Sequence, residues 1–297
     1  MSAAALRRLL ERPGLQMMPC CFDAHSARLI ERAGFALTFM SGFAVSAARI
    51  GLPDTGLISY GEMLDQGRNI CSAVGIPVIG DGDTGYGNAI NVKRTVAGYA
   101  RAGFACVMIE DQRAPKRCGH TRGVEVVGRA EALTRIRAAV DAREDGADIL
   151  VMARTDARAT DGLDEALWRA RAFADAGADL LFVEAPRDAR EMEQVCAASA
   201  LPQMANLVEG GDTPLLAPDS LAALGYRIAA YPLTLLSSAT RAMQRALENL
   251  RRGETPADLL PFAELRAVVG FDAYDAEQRR YAESSHPAER AEEEHTS

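Results

Sequence analysis

The residues best equipped for chemistry lie in Lys116-Arg117-Cys118-Gly119-His120. A thiol beside cations gains thiolate character and can exchange a proton near neutral pH. The segment follows Val107-Met108-Ile109-Glu110-Asp111, which reads as a buried strand ending in two carboxylates. Upstream, Pro77-Val78-Ile79-Gly80-Asp81-Gly82-Asp83 reads as a second strand with an acidic end. Two strand ends therefore deliver carboxylates suited to a hard cation, and the thiol follows eight residues after Glu110. The chemistry expected is metal-anchored acid/base work on a small carboxylate substrate.

Such groups need a frame that gathers strand ends. Short apolar runs at 17–22, 36–40, 77–80, 105–109, 149–153, 180–183, 203–205 and 227–230 read as strands. They alternate with amphipathic stretches at 24–33, 60–74, 91–102, 129–145, 163–176, 189–198, 218–224 and 235–252. Ala-Gly pairs at 102–103 and 176–177 fit helix C-caps before the next strand. Repeated βα alternation means a parallel sheet, and this length suits a (β/α)8 TIM-type barrel over residues 1–252. A doubly wound open sheet is the alternative. Ser41, Asp81, Asp83, Glu110, Arg154, Asp156, Glu184 and Asn206 all fall at or just after C-terminal strand ends, the face that carries barrel active sites. Residues 253–282 continue as helices with apolar Phe262, Leu265, Val268, Val269, Phe271 and Tyr274. A barrel complete by residue 252 has no need of them, so they are expected to cover a neighbouring subunit. The polar stretch 283–297 reads as a disordered tail.

Composition bounds the partners. A net charge of −8 argues against a nucleic-acid surface. Of 33 basic residues only Lys93 and Lys116 are lysines, so a lysine beside Cys118 stands out. Cysteines 20, 21, 71, 106, 118 and 196 show no zinc spacing and read as reduced thiols. Residues 1–12 read as a short arginine-bearing helix, not a secretory leader. No apolar run approaches the ~18 residues of a membrane span. A cytoplasmic protein is expected.

Each site residue has competing readings. Asp81, Asp83 and Glu110 suit Mg²⁺, with Mn²⁺ as a substitute; the alternative is helix caps beside a Gly82/Gly85/Gly87 turn. Asp54 either orients a metal-bound water or is a turn residue. Cys118 is a nucleophile, a proton donor or base, or an idle thiol. Gly119 and His120 suit a loop rich in donors, and His120 suits a substrate carboxylate better than zinc. Arg154 is a carboxylate clamp or the ion-pair partner of Glu184 or Glu110. Ser41-Gly42 offers a hydroxyl and backbone N–H groups to an anion, and Asn206 offers an amide to a second carboxylate.

Residues 80–87 (GDGDTGYG), 109–112 (IEDQ), 116–120 (KRCGH), 153–157 (ARTDA) and 51–54 (GLPD), collinear within roughly 10–282, together resemble the isocitrate lyase / phosphoenolpyruvate mutase superfamily. The resemblance implies an (α/β)8 barrel whose eighth helix is swapped between subunits of a homotetramer, and Mg²⁺-dependent chemistry on α-keto acids and enolates. The Lys-Arg-Cys-Gly-His loop and the form Asn206-Leu207-Val208-Glu209-Gly210-Gly211 are similar to the short lyases typified by 2-methylisocitrate lyase, 2,3-dimethylmalate lyase and the petal death protein. Phe39 stands where methylisocitrate lyases carry tyrosine. The implied function is retro-aldol cleavage of a 2-hydroxy di- or tricarboxylate to an α-keto acid and a carboxylate. Cys118 is then the proton donor, Arg154, Glu110 and Asp54 act with it, and Ser41, Gly42, Gly119, His120, Arg154, Glu184 and Asn206 bind substrate. Carboxyphosphonoenolpyruvate phosphonomutase shares these motifs and is the alternative. Oxaloacetate hydrolase is another, disfavoured by Pro232.

Overall fold

A computed structural model of the chain describes residues 3–119 and 123–284. The apolar runs form eight parallel strands: β1 Gln16–Cys21, β2 Thr38–Met40, β3 Val78–Asp81, β4 Cys106–Glu110, β5 Leu150–Thr155, β6 Leu180–Val183, β7 Met204–Asn206 and β8 Ile228–Tyr231. Their order is β6-β5-β4-β3-β2-β1-β8-β7. A parallel bridge between Leu181 and Gln203, with Leu181 N–H donating to Pro202 O at 3.0 Å, joins β6 to the approach of β7. The expected (β/α)8 barrel is the observed fold.

Alternation along the strands separates two cores. Cys20, Phe39, Ile79, Cys106, Met108, Leu150, Met152, Leu180, Phe182, Met204, Ile228 and Ala230 fill the barrel interior. Their neighbours Cys21, Met40, Val78, Val107, Ile109, Val151, Ala153, Leu181, Val183, Ala205 and Ala229 face the surrounding helices. Helix Ala3–Glu11 joins the interior cluster through Leu6, Leu9 and Leu10. The N-terminal segment is thus helical as expected, and its apolar face belongs to the barrel's interior core. Surrounding helices start at side-chain caps: Asp23 with Ser26, Ser59 with Glu62, and Asn88 with Asn91 each form a reciprocal capping box. Each cap is worth about 1 kcal/mol.

Most strands run one or two residues further toward their C-termini than the apolar runs suggest. β4 ends at Glu110 and β5 at Thr155, and Glu110 pairs in register with Arg154. The ladder uses backbone groups, so it continues through a polar residue. Residues 42–50, not assigned to any element from the sequence, form a helical turn, Gly42–Val45, running into a π-helix, Ser46–Ile50.

The chain divides into two units, residues 1–240 and 241–297, with the boundary inside helix Thr234–Arg251. In the second unit helices Phe262–Val269 and Phe271–Ser284 follow. Arg266 lies over the Phe271 ring, 5.1 Å from its centroid. Among the described residues no helix is long and apolar enough to cross a membrane.

Candidate active site

The alternation that fills the barrel also aims the site. Moving up from the interior by two residues, Ile79 leads to Asp81, Met108 to Glu110, Met152 to Arg154, Phe182 to Glu184, Met204 to Asn206 and Phe39 to Ser41. These side chains therefore meet at the C-terminal mouth. The cavity there is lined by Ser41, Asp54, Asp81, Lys116, Arg117, Cys118, Gly119, Arg154, Glu184 and Asn206 above apolar Phe39, Met108, Phe182 and Met204. Phe43, Val208, Pro232 and Leu233 complete its wall.

The acids are held individually. Asp81 Oδ1 accepts from Asp83 N–H at 3.0 Å, and Oδ2 accepts from Gly42 N–H at 3.1 Å. The Tyr99 hydroxyl donates to Asp81 O at 2.7 Å, anchoring the end of β3 from the helix behind it. Asp83 itself sits in the left-handed region, with φ 47°. That conformation costs a non-glycine residue about 1–3 kcal/mol, and such strain concentrates at working sites. Burial, and then Asp83, push the Asp81 carboxyl up to about 6. Burial raises Glu110 well above the usual carboxylate range, despite Arg154.

Lys116 is the residue the sequence undervalued. Its Nζ lies 2.6 Å from Asp54 Oδ1 and 2.7 Å from Asp83 Oδ1. Burial works against the ammonium, but Asp83, Asp81, Glu110 and Asp54 outweigh it and hold the proton. The sequence reading gave this cation to Cys118. In the structure it pairs with two acids. Its scarcity in an arginine-rich chain was the available signal.

Arg154 is the hub on the opposite side. Nε and Nη2 grip Asp156 at 2.9 and 2.8 Å, Nη2 lies 3.1 Å from Glu184, and Nε lies 3.4 Å from Glu110. The clamp and the ion pair were alternatives in the sequence; the ion pairs are present, with Arg154 still lining the cavity. Asn206 Nδ2 donates to Glu184 Oε2 at 3.1 Å. Gly119 packs onto this cluster so tightly that a Cβ there would lie 2.6 Å from Arg154 Nη2 and 2.7 Å from Asp156 Oδ1.

The remaining candidates are located as follows. Ser41 caps the turn Gly42–Val45 by accepting from Ala44 N–H, and it lines the cavity. Gly42 N–H, read as an anion donor, is directed at Asp81 instead, because the turn stacks against the end of β3. Asp54 lies in a bend after the π-helix and is buried, lining the cavity. Cys118 is half-buried at the cavity edge. His120 lies outside the described residues.

Whether these residues suit a divalent cation can be asked of the donors. Among the described residues no group of three His, Cys, Asp or Glu side chains forms a ready-made cage. Asp81, Asp83 and Glu110 nevertheless present only hard oxygen donors. Glu110 Oε1 is buried without a hydrogen-bond partner, and two of the three carboxyls are driven toward protonation. A centre short of positive charge and rich in oxygen fits Mg²⁺, which uses few protein carboxylates and completes its shell with water and substrate.

Comparison with known proteins agrees with this architecture. A family model described as phosphoenolpyruvate phosphomutase matches residues 6–251. The chain is 42% identical over 285 residues to 2,3-dimethylmalate lyase of Eubacterium barkeri, covering 95% of this chain and 98% of that protein. It is 41% identical over 283 residues to the chloroplastic carboxyvinyl-carboxyphosphonate phosphorylmutase of Arabidopsis thaliana, covering 93% and 83%. Among solved structures, oxaloacetate acetylhydrolase bound to 3,3-difluorooxalacetate superposes with a TM-score of 0.88 at 38% identity, covering 94% of this chain and 96% of that one. Phosphonopyruvate hydrolase in complex with oxalate and Mg²⁺ superposes with a TM-score of 0.84 at 31% identity, covering 95% and 100%. The chain is therefore an enzyme of the phosphoenolpyruvate mutase/isocitrate lyase superfamily, with lyases among its close relatives.

Proposed function

We propose that this protein is a Mg²⁺-dependent carbon–carbon lyase that cleaves a 2-hydroxy dicarboxylate or tricarboxylate, of the dimethylmalate or methylisocitrate kind, into an α-keto acid and a carboxylate. The observation that carries the reading is the convergence of Cys118, Arg154, Asp54 and the Asp81 group on one cavity at the barrel mouth. The lyase relative at 42% identity supports the same branch.

The residues divide the work. Asp81, Asp83 and Glu110 would hold the cation, which supplies Lewis-acid stabilisation of charge on substrate oxygens. Arg154, braced by Asp156 and Glu184, holds a substrate carboxylate, and Ser41, Gly119 and Asn206 bind beside it. Asp54 lines the cavity, and burial raises its proton affinity against the pull of Lys116, so it is suited to receive the hydroxyl proton. As that proton leaves, the C2–C3 bond breaks. Its electron pair passes to the departing carbon and is delocalised into the adjoining carboxylate. Cys118 donates the proton that completes the carboxylate product; before the next turnover its thiolate regains a proton from solvent and Asp54 releases the one it took. The Lys116–Asp54 and Lys116–Asp83 pairs keep the Cys118 segment beside the acids during this sequence.

The assembly proposed is a homotetramer in which C-terminal helices cross between subunits. An apolar groove on the barrel unit is lined by Met17, Leu29, Ile30, Phe35, Tyr231 and Leu235, where an eighth barrel helix would pack. Met243, Leu247, Leu250, Phe262 and Phe271 of the second unit are exposed. The groove's occupant is a second copy's helix. The domain division proposed from the sequence, 1–252 with an oligomerisation extension at 253–282, follows that assembly. A cytoplasmic setting completes the proposal.

The deciding experiment incubates purified enzyme and Mg²⁺ with methylisocitrate, dimethylmalate, citramalate and oxaloacetate, and detects pyruvate, glyoxylate and oxalate. Release of a keto acid from a 2-hydroxy diacid supports the lyase. The phosphorylmutase relative at 41% identity keeps a second reading in view. Phosphorus rearrangement without cleavage of any diacid would favour it. Oxalate from oxaloacetate alone would indicate a hydrolase.

A further inference from the structure

The segment that carries Cys118 leaves the barrel at the end of β4 and returns at helix Arg129–Glu144. Its two stems form a short antiparallel ladder. Gln112 bridges Val126, Arg113 N–H donates to Glu125 O at 2.8 Å, and Val127 N–H donates to Asp111 O at 2.9 Å. Arg135 braces the ladder from below by donating to Glu110 O at 3.2 Å and Gln112 O at 2.6 Å. The stems are therefore fixed by backbone bonds, which leaves open what fixes the segment between them.

Lys116 ties it to Asp54 and Asp83, and the Gln112 side chain ties it to Asp156. The Gln112 side chain is buried, at 1% exposure. Its amide works at both ends. Oε1 accepts from the backbone N–H of Arg117 at 2.9 Å, and Nε2 donates to Asp156 Oδ1 at 3.1 Å. Asp156 Oδ1 is also the acceptor for Arg154 Nη2. The peptide just before Cys118 is thereby connected through one side chain to the carboxylate that grips Arg154. Gly119, on the other side of the thiol, rests on the same two groups. Asp156 itself is held by Arg154 and by its own N–H, which donates to Asp111 at 3.0 Å. The seat is held by several bonds, and Gln112 is the part of it that reaches the peptide before Cys118.

We propose that Gln112 is a positioning residue that seats the Cys118 segment on the Arg154–Asp156 pair, so that proton donor and substrate clamp keep a fixed separation. It touches no substrate. An amide is required because one end must accept and the other must donate. A carboxylate would face Asp156 with like charge, and alanine would leave the Arg117 N–H and Asp156 Oδ1 without this link. The turnover arm of the test rests on the lyase reading above; the alkylation arm does not.

The test compares Gln112→Ala and Gln112→Glu with the wild type. Thermal melts and circular dichroism first establish that each variant folds. The rate of Cys118 alkylation by iodoacetamide, located by peptide mass spectrometry, reports how the segment sits without substrate. Both variants should alkylate Cys118 at a rate several-fold different from wild type, with the other five cysteines unchanged. Lyase kcat should fall about 10- to 100-fold, the scale for a misplacement near 1 Å, while KM changes less than threefold. Wild-type alkylation rates in both folded variants would overturn the proposal. So would a lowered melting temperature with kcat and alkylation unchanged, because Gln112 would then only support the fold. If the variants fail to fold at 25 °C, Gln112→Asn, too short to span both partners, carries the same readouts. Absence of any lyase turnover in the wild type would defeat the functional reading and leave the alkylation arm to decide the seat.

Discussion

Lys116 Nζ lies 2.6 Å from Asp54 Oδ1, which ties the segment bearing Cys118 to the turn that follows the π-helix. The same ammonium reaches Asp83, and none of the three side chains exceeds 7% exposure. Removing one partner of a buried ion cluster strands the others. Lys116→Met should therefore destabilise the metal-free protein by about 3–5 kcal/mol in urea titrations. Mg²⁺ should recover part of that loss, since it restores positive charge beside Asp83. An unchanged urea midpoint would contradict the structural weight given to this cluster.

Cys118→Ser should lower cleavage by about 10²–10⁴-fold, the usual worth of a positioned proton donor. Substrate binding, measured by calorimetry, should change little, because on the proposed reading Arg154, Ser41 and the metal site hold the substrate. Iodoacetate should inactivate the wild type, with keto acid plus dicarboxylate protecting it. Near-normal turnover by the serine variant would remove Cys118 from the mechanism.

Metal dependence should follow pH in a defined direction. Asp81 is held up at about 6, chiefly by burial, and Glu110 is shifted the same way. A carboxyl raised in the folded state stabilises the metal-free fold most fully below its unfolded value of about 3.9, and that contribution is lost as pH rises through the folded value. A cation must displace these protons to bind. The thermal shift produced by MgCl₂ should accordingly grow between pH 5 and pH 8, and EDTA should abolish turnover. A larger shift at pH 5 than at pH 8 would reverse the assignment of these acids, as would undiminished Mg²⁺ binding by Asp83→Ala.

Gly119→Ala should fold yet lose most activity. The added methyl would meet Arg154, Asp156 and the Glu184 side chain, all under 3 Å away. Because these groups are locked together, the loop must lift instead. A drop in kcat of about 10²-fold is expected by the same positioning argument. Wild-type kinetics would mean that the loop does not sit on Arg154 during turnover.

Light scattering at micromolar concentration should report a tetramer. Phe35→Asp, on the exposed apolar groove, should shift it toward smaller species. A wild-type monomer would count against the swapped assembly.

How much was legible beforehand depended on what each feature rests on. The strands and helices announced themselves through apolar period, and the strand-end acids announced the working face. Asp81, Glu110, Arg154, Glu184 and Asn206 were found because each falls at or just after a C-terminal strand end; the structure places each two residues beyond an inward apolar residue. Lys116 was read as a neighbour of Cys118 because adjacency is all a sequence offers; its true partners lie 62 and 33 residues upstream, at Asp54 and Asp83. Gln112 stood in one of the matched motifs, but nothing marked its role, which consists in two partners 5 and 44 residues away. The turn at 42–50 lacked a recognisable cap-to-cap length, so the π-helix was invisible.

The cavity's lining has a consequence for redesign. Its ionic side comes from the ends of β3, β5 and β6, from Asp54 and from the Cys118 segment, where Lys116 and Arg154 each bridge two or more acids and Gly119 leaves no room for a side chain. Apart from the floor of Met108, Phe182 and Met204, its apolar lining comes from the rest of the ring: Phe39 and Phe43 around the end of β2, Val208 after β7, and Pro232 and Leu233 after β8. Library mutagenesis confined to those five positions can reshape the space around the substrate's substituents without touching an ion pair. On the proposed lyase reading, the charged cluster and the adaptable wall sit on largely separate arcs, so a change of diet need not begin with a loss of chemistry.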